Sequence, residues 1–206
     1  CNRIYGYTAQ QTLDYVQSLY EKKLATYPRT DSQYLTEDMQ ATAASLVLWL
    51  REHMPFGKGC TREPDIDRVT DGSKVTDHHA IIPTVEIART DLSELPSGER
   101  DVLTLIAARL LSATVQAHRF EAVTAVLDCQ GNSFTAKGKT VLQAGWKEVE
   151  RLYRMGLKES KPEDDENMDA SLPMLQEGQI FETVSASVRE GKTSPPKHYT
   201  EDSLLA

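Results

Sequence analysis

The sequence predicts an α+β fold: a mostly helical domain over residues 1–117, followed from residue 118 by an antiparallel β-rich segment. Two observations carry this prediction. Apolar residues recur at helical spacing in three stretches before residue 117, and from Phe120 the pattern changes to alternation. Gly and Pro clusters separate the stretches, and no internal repeat is visible.

Taken in order, Thr8 with Gln11 three residues on forms a capping box for a helix over 9–24. Leu13, Val16, Leu19, Tyr20 and Leu24 make its apolar stripe, and Pro28 is expected to help stop it. Thr36 is read as the cap of a second helix, Glu37 to His53, with acids Glu37 and Asp38 in its first turn. Pro55 to Val75 is rich in Gly, Pro, Asp and Ser and reads as a long irregular excursion. Ala80-Ile81-Ile82 reads as a strand. Ser97 is read as the cap of a third helix, about Gly98 to Gln116, whose Val102, Leu103, Leu105, Ile106, Leu110 and Leu111 form a broad apolar face. Strands follow at Phe120 to Leu127, Ser133 to Lys137 and Thr140 to Leu142, with Gly131-Asn132 as a turn. Trp146, Val149, Leu152 and Tyr153 suggest a short packing helix, Glu159 to Asp169 an acidic, solvated and mobile loop, and Gln179 to Arg189 a returning strand.

The stretch Leu24 to Leu35 carries the chemistry. Tyr27 precedes Pro28, whose ring biases the tyrosine toward extended backbone. Arg29 offers a planar, permanently charged fork suited to a phosphate, and Thr30, Asp31 and Ser32 offer short oxygens. A phenol beside a phosphate clamp suggests phosphoryl transfer. A free phenol titrates near ~10, so attack at neutral pH needs neighbouring positive charge, a base or a metal. For an isolated Tyr-Pro-Arg the plainer reading is favoured, a half-buried tyrosine at a helix-to-loop junction with Arg29 in a surface ion pair.

Two other patterns admit metal readings that the residues do not favour. Asp65-Ile66-Asp67 has carboxylates two apart, yet in a polar loop such a pair is usually just solvated. Successive side chains on an extended chain point apart, and His78-His79 has no evident third ligand. A histidine titrating near neutrality can instead donate to a phosphate or sugar oxygen.

The chain has 206 residues, 39% hydrophobic and 26% charged, enough for a real core. No apolar run approaches the ~20 residues that span a bilayer, and nothing at the start resembles a secretion signal, so the expected compartment is the cytoplasm. Cys1, Cys60 and Cys129 are too few and too scattered for a disulfide framework or zinc finger. A net charge of −8 argues against a simple electrostatic glove for DNA, although Arg29, Lys22, Lys23 and Arg3 could make a local surface. The chain opens on Cys1-Asn2-Arg3 and stops at Ser203-Leu204-Leu205-Ala206, and is expected to be part of a larger enzyme.

Thr26-Tyr27-Pro28-Arg29-Thr30-Asp31-Ser32 resembles the active-site tyrosine motif of type IA DNA topoisomerases, especially the topoisomerase III branch. Asp77-His78-His79-Ala80-Ile81-Ile82-Pro83-Thr84 is similar to the histidine motif of the same domain, at about the expected distance. Phe134-Thr135-Ala136-Lys137-Gly138, Gly145-Trp146 and Thr193-Ser194-Pro195-Pro196-Lys197-His198-Tyr199-Thr200 continue the likeness in the family's order.

The resemblance implies a tyrosine domain at 1–117, a β-rich gate segment at 118–188 and the start of the next helical domain at 189–206. It implies that Tyr27 attacks single-stranded DNA to give a 5′-phosphotyrosine link, that Arg29 stabilises the phosphate charge and that His78 contacts the backbone. Asp31 is expected to orient Arg29 or His78 by hydrogen bonding. The resemblance places Mg²⁺ on acids of a Toprim domain absent from this chain, so no metal or other cofactor is expected within it. The expected partners are single-stranded DNA and the enzyme's remaining domains, in a bacterial cytoplasm at the nucleoid. Two other classes stay open: a relaxase-type nuclease, which needs a His-x-His that His78-His79 lacks, and a non-enzymatic DNA-binding or interaction module.

Overall fold

The computed structural model describes residues 1–157, 172–182, 187–188, 190–196, 198–200 and 203–204. The chain divides into two units, Cys1–Arg119 with Leu142–Glu163, and Phe120–Val141 with Asp164–Ala206. Helices and a two-stranded antiparallel sheet make the fold α+β.

In the first unit, α1 (Asn2–Tyr5) is a single turn and α2 (Ala9–Glu21) begins at the expected capping box. Thr8 Oγ1 accepts the Gln11 amide at 3.1 Å, and Gln11 Oε1 accepts the Thr8 amide at 2.9 Å. The helix ends at Glu21, earlier than its periodicity predicts, and Pro28 has no part in stopping it. Lys23 instead adopts a left-handed φ of 61°, its amide donating to the Tyr20 carbonyl and that of Leu24 to the Leu19 carbonyl, each at 2.8 Å. This is a Schellman close, with Leu24 buried as its apolar contact.

A 3₁₀ turn, Glu37–Met39, precedes α3 (Gln40–His53), and Thr36 makes no side-chain cap. Glu37 reaches across instead, its Oε1 accepting the Gly72 amide at 3.0 Å. Likewise α4 (Ser97–Thr114) starts on Pro96 as N-cap, so Ser97 is its first helical residue and not its cap. Proline's fixed φ suits a helix entrance without a side-chain acceptor. Glu99, in the first turn of α4, is nearly buried and accepts from Ser18 Oγ at 2.9 Å and Lys22 Nζ at 2.5 Å. A carboxylate there also complements the helix dipole. This pair ties the end of α2, and so the chain leading to Tyr27, to α4.

The expected excursion from Pro55 to Val75 is irregular, built from 3₁₀ turns at Pro55–Gly59, Ile66–Val69 and Gly72–Lys74. The short helix expected at Trp146 is α5 (Trp146–Gly156), which buries Val149 and Tyr153. It packs so closely on the Pro55–Gly59 turn that a Cβ on Gly59 would lie 2.7 Å from the Val149 amide nitrogen and 2.8 Å from its Cα. Gly59→Ala is therefore expected to destabilise the chain by about 1–3 kcal/mol, read as a lower urea midpoint with an unchanged slope. The core that these helices share includes Leu19, Leu35, Val47, Leu50, Ile87, Leu103 and Leu111, all essentially inaccessible to solvent.

In the second unit the expected β segment is one hairpin, β1 (Arg119–Cys129) and β2 (Asn132–Gln143), the last two expected strands merging into β2. Its turn lies one residue earlier than Gly131-Asn132. Gln130 and Gly131 both take positive φ, 52° and 81°, as a type I′ turn requires, and Asp128 Oδ1 accepts the Gly131 amide. Phe120, Val126 and Phe134 are largely exposed, so alternation in sequence does not translate into a buried face among the described residues.

The described residues of the expected strand Gln179–Arg189, 179–182 and 187–188, are not in a strand; the rest of it lies outside the described residues. So does the acidic tract from Glu159 to Asp169. No helix of the described residues is long and apolar enough to cross a membrane.

Candidate active site

The loop that carries Tyr27 is built by a short antiparallel contact that proline cuts off. Ala25 faces Pro83 in an isolated bridge, with the Thr26 amide donating to the Ile82 carbonyl and the Thr84 amide to the Leu24 carbonyl, both at 3.0 Å. In this kind of rung the flanking residues supply the bonds, so the N–H that Pro83 lacks is not needed. The next rungs would require the Ile82 amide on the Thr26 carbonyl and a Pro28 amide on the Ala80 carbonyl. Proline has none. The Thr26 hydroxyl takes both places, donating to the Ala80 carbonyl at 3.2 Å and accepting the Ile82 amide at 2.9 Å. The strand expected at Ala80–Ile82 is thus reduced to one bridge, and Tyr27 leaves the pairing just where the chain turns out.

Beyond Arg29 the loop is fastened again. Thr30 Oγ1 donates to the His78 carbonyl at 2.7 Å and accepts the Ser32 amide at 3.1 Å. Ser32 Oγ donates to the Lys74 carbonyl at 2.9 Å, and the Ala80 amide to the Tyr34 carbonyl at 2.9 Å. Leu35 then bridges Thr70 and returns the chain to the core.

These restraints bring the two motifs together. The Tyr27 ring lies 4.4 Å from that of His78, centroid to centroid, tilted by 46°, and Tyr20 meets Tyr27 edge-on at 5.3 Å. Tyr27 is half-buried, whereas Arg29, Asp31 and His78 are exposed. Arg29, Thr30, Asp31, Thr76, Asp77 and His78 line an open depression of about 310 Å³. Among the described residues, neither the Tyr27 hydroxyl nor the Arg29 guanidinium has a hydrogen-bond or ion-pair partner. Arg29 lines the depression, and Tyr27 adjoins it through its ring contact with His78.

Other tyrosines of the chain are differently employed. The Tyr5 and Tyr153 hydroxyls bond each other, and Tyr7 donates to Asp101 Oδ2 at 2.8 Å. Burial and then the bond to Tyr153 raise Tyr5 far above the ordinary phenol range; burial and then Asp101 push Tyr7 up to about 12. Such phenols are held protonated and serve the fold.

The structure separates some residues that the sequence grouped. Lys22 is paired with Glu99. Asp31 Oδ1 lies 3.5 Å from Thr76 Oγ1, and no bond from Asp31 to Arg29 or His78 is found among the described residues. His79 turns back, its Nδ1 2.9 Å from the Ala80 carbonyl. Asp65 caps its own 3₁₀ turn and Asp67 accepts from Gln40, which employs both carboxylates locally. Thr26 and Thr76 were not singled out by sequence reasoning. Thr26 had a signal: with Thr30 it brackets Tyr27-Pro28-Arg29, a span that cannot extend a ladder.

A fold of this kind with a phenol and a cation displayed together defines a class that comparison identifies. A family model for DNA topoisomerase matches residues 1–206, and the chain belongs to that family. DNA topoisomerase 3 of Bacillus subtilis is 37% identical over 209 residues, which cover 98% of this chain and 28% of the relative. The proteins of the same name from Bacillus licheniformis and Bacillus cereus are 35% and 34% identical, covering 98% and 100% of this chain and 27% and 28% of their own lengths. The likeness is to the type IA, topoisomerase III-like branch. The chain spans less than a third of the length of these relatives.

Proposed function

We propose that this chain supplies the nucleophile and phosphate clamp of a strand-passing enzyme that relaxes negative supercoils or decatenates DNA. The carrying observation is the half-buried Tyr27, whose hydroxyl has no described partner, with His78 against its ring and the free Arg29 guanidinium lining the same depression as His78. Tyr27 Oη attacks a phosphorus of single-stranded DNA. The Oη–P bond forms and the P–O3′ bond breaks; the phenol gives up its proton and the departing 3′-oxygen gains one. The product is a 5′-phosphotyrosine ester and a 3′-hydroxyl. One phosphate ester has replaced another, so resealing by the reverse step needs no ATP. Arg29 stabilises the charge on the transferring phosphate, and His78 donates to the DNA backbone while supporting the ring.

Magnesium is expected on acids of a Toprim domain outside this chain, where it would stabilise phosphate charge. Among the described residues no three His, Cys, Asp or Glu side chains come together as a metal site. The partners are single-stranded DNA and the enzyme's other domains, in the bacterial cytoplasm at the nucleoid.

The test is to join the chain to those domains and trap the intermediate with a denaturant quench on an end-labelled single strand. A 3′-end label should stay on the protein, a 5′-end label should be released, and peptide mapping should find the adduct on Tyr27. The chain alone should trap little or none. Retention of the 5′ label, or an adduct on another residue, would overturn the proposal.

A further inference from the structure

Two threonines flank the nucleophile, Thr26 directly before it and Thr30 three residues after it, and both hydroxyls are bonded to the one segment that carries His78. Thr26 Oγ1 holds the Ala80 carbonyl and the Ile82 amide; Thr30 Oγ1 holds the His78 carbonyl and the Ser32 amide. Each hydroxyl thus uses its single proton and accepts one amide. Only Tyr27, Pro28 and Arg29 lie between them. Pro28 is buried, and its φ is fixed by its ring. The span therefore has fewer free torsions than an ordinary tripeptide, and its two ends are referred to the same five-residue stretch of facing backbone, His78 to Ile82.

We propose that Thr26 and Thr30 are positioning residues for phosphoryl transfer, which set the Tyr27 phenol over His78 and fix the direction in which Arg29 leaves the backbone. The proposal rests on Tyr27 as nucleophile. Thr30 carries the larger share, because its bond at 2.7 Å is made to the carbonyl of His78 itself. Without it the far end of the loop is held to the facing segment only on either side of His78, at Lys74 and Ala80 among the described residues, and the phenol and imidazole can drift apart while the core beneath them stays intact. Displacement of a reacting group by about 1 Å costs on the order of 100-fold in rate.

The test uses the chain joined to the enzyme's remaining domains, with Thr30→Val, Thr30→Ser, Thr26→Val and Thr26→Ser. Single-turnover cleavage of a 3′-labelled oligonucleotide, affinity for that oligonucleotide and the thermal midpoint are measured for each. Thr30→Val should slow cleavage by about 10- to 100-fold while affinity stays within about threefold, since the lost alignment acts on the transition state rather than on binding. Thr30→Ser, which keeps the hydroxyl, should cleave within about threefold of the parent on the same reasoning. Thr26 variants should follow the same order; if Thr26→Val fails to fold, the Thr30 pair decides. Parental cleavage by Thr30→Val, an equal loss in Thr30→Ser, or a loss confined to affinity would each overturn the proposal. Tyr27→Phe separates the two levels. If it still forms adduct the functional reading fails, whereas adduct lost in Tyr27→Phe but normal in Thr30→Val removes the positioning role alone.

Discussion

Tyr27→Phe in the assembled enzyme is expected to abolish relaxation of negatively supercoiled DNA and to leave no covalent adduct. The substitution removes one oxygen and little else. The ring keeps its 4.4 Å contact with His78 and its edge contact with Tyr20, so the loop has no reason to move. Since no described residue bonds the Tyr27 hydroxyl, no buried partner is orphaned, and stability should stay within about 0.5 kcal/mol of the parent. Rate is a different matter. Deleting a nucleophile in a covalent mechanism typically costs on the order of 10⁴ or more, and no other described tyrosine ring lies against His78 to replace it. Affinity for single-stranded DNA should be nearly unchanged, because the hydroxyl acts on the transition state and not on the bound strand. Relaxation by Tyr27→Phe at the parental rate would exclude the phenol as nucleophile, and a matching loss of affinity would recast it as a binding group.

Local chemistry made much of this fold legible. The Thr8 capping box, the apolar stripe of α2 and the broad apolar face of α4 are each set by residues within one or two turns, and the helices stand where the pattern put them. Their ends were harder to read. The close of α2 depends on a lysine accepting left-handed backbone at position 23, a conformation that glycine usually supplies, and on Leu24 finding a pocket in the core. Neither fact is local. Ser97 and Thr36 look like caps, but Pro96 already sets the entrance of α4, while the Gly72 amide draws Glu37 away to a distant loop.

The site shows the same division. Tyr27, Arg29 and His78 stood out from residue type and from a shared family pattern. What the sequence hides is how 27 and 78 meet, since the pairing runs through one bridge at Ala25 and Pro83 and through hydroxyls of Thr26 and Thr30. A strand read at Ala80–Ile82 has the right neighbours, but Pro28 and the Thr26 hydroxyl limit it to one rung. Asp31 was expected to orient Arg29 or His78; Thr76, 45 residues on, is where its bond lies. Side-chain direction on an exposed loop depends on the facing segment, which spacing along the chain does not encode.

Arg29 is expected to separate rate from binding. The guanidinium is exposed and has no described partner, so Arg29→Ala breaks no ion pair and should leave the thermal midpoint close to the parent's. If its role is to meet charge as it develops on the transferring phosphate, the cleavage rate should fall by about 100- to 1,000-fold, the range seen when one preorganised donor is removed. The strand's affinity should drop far less, and the slope of log affinity against log salt should shrink by only about 0.7, one phosphate contact on single-stranded DNA. Arg29→Lys distinguishes charge from shape. It keeps the positive charge but loses the planar fork, so it should recover part of the rate and nearly all of the affinity. A tether acting equally on bound strand and transition state would give the opposite split, a weakened affinity with the rate constant intact. Single-turnover cleavage at saturating DNA, set beside a salt titration of binding, reads the two apart.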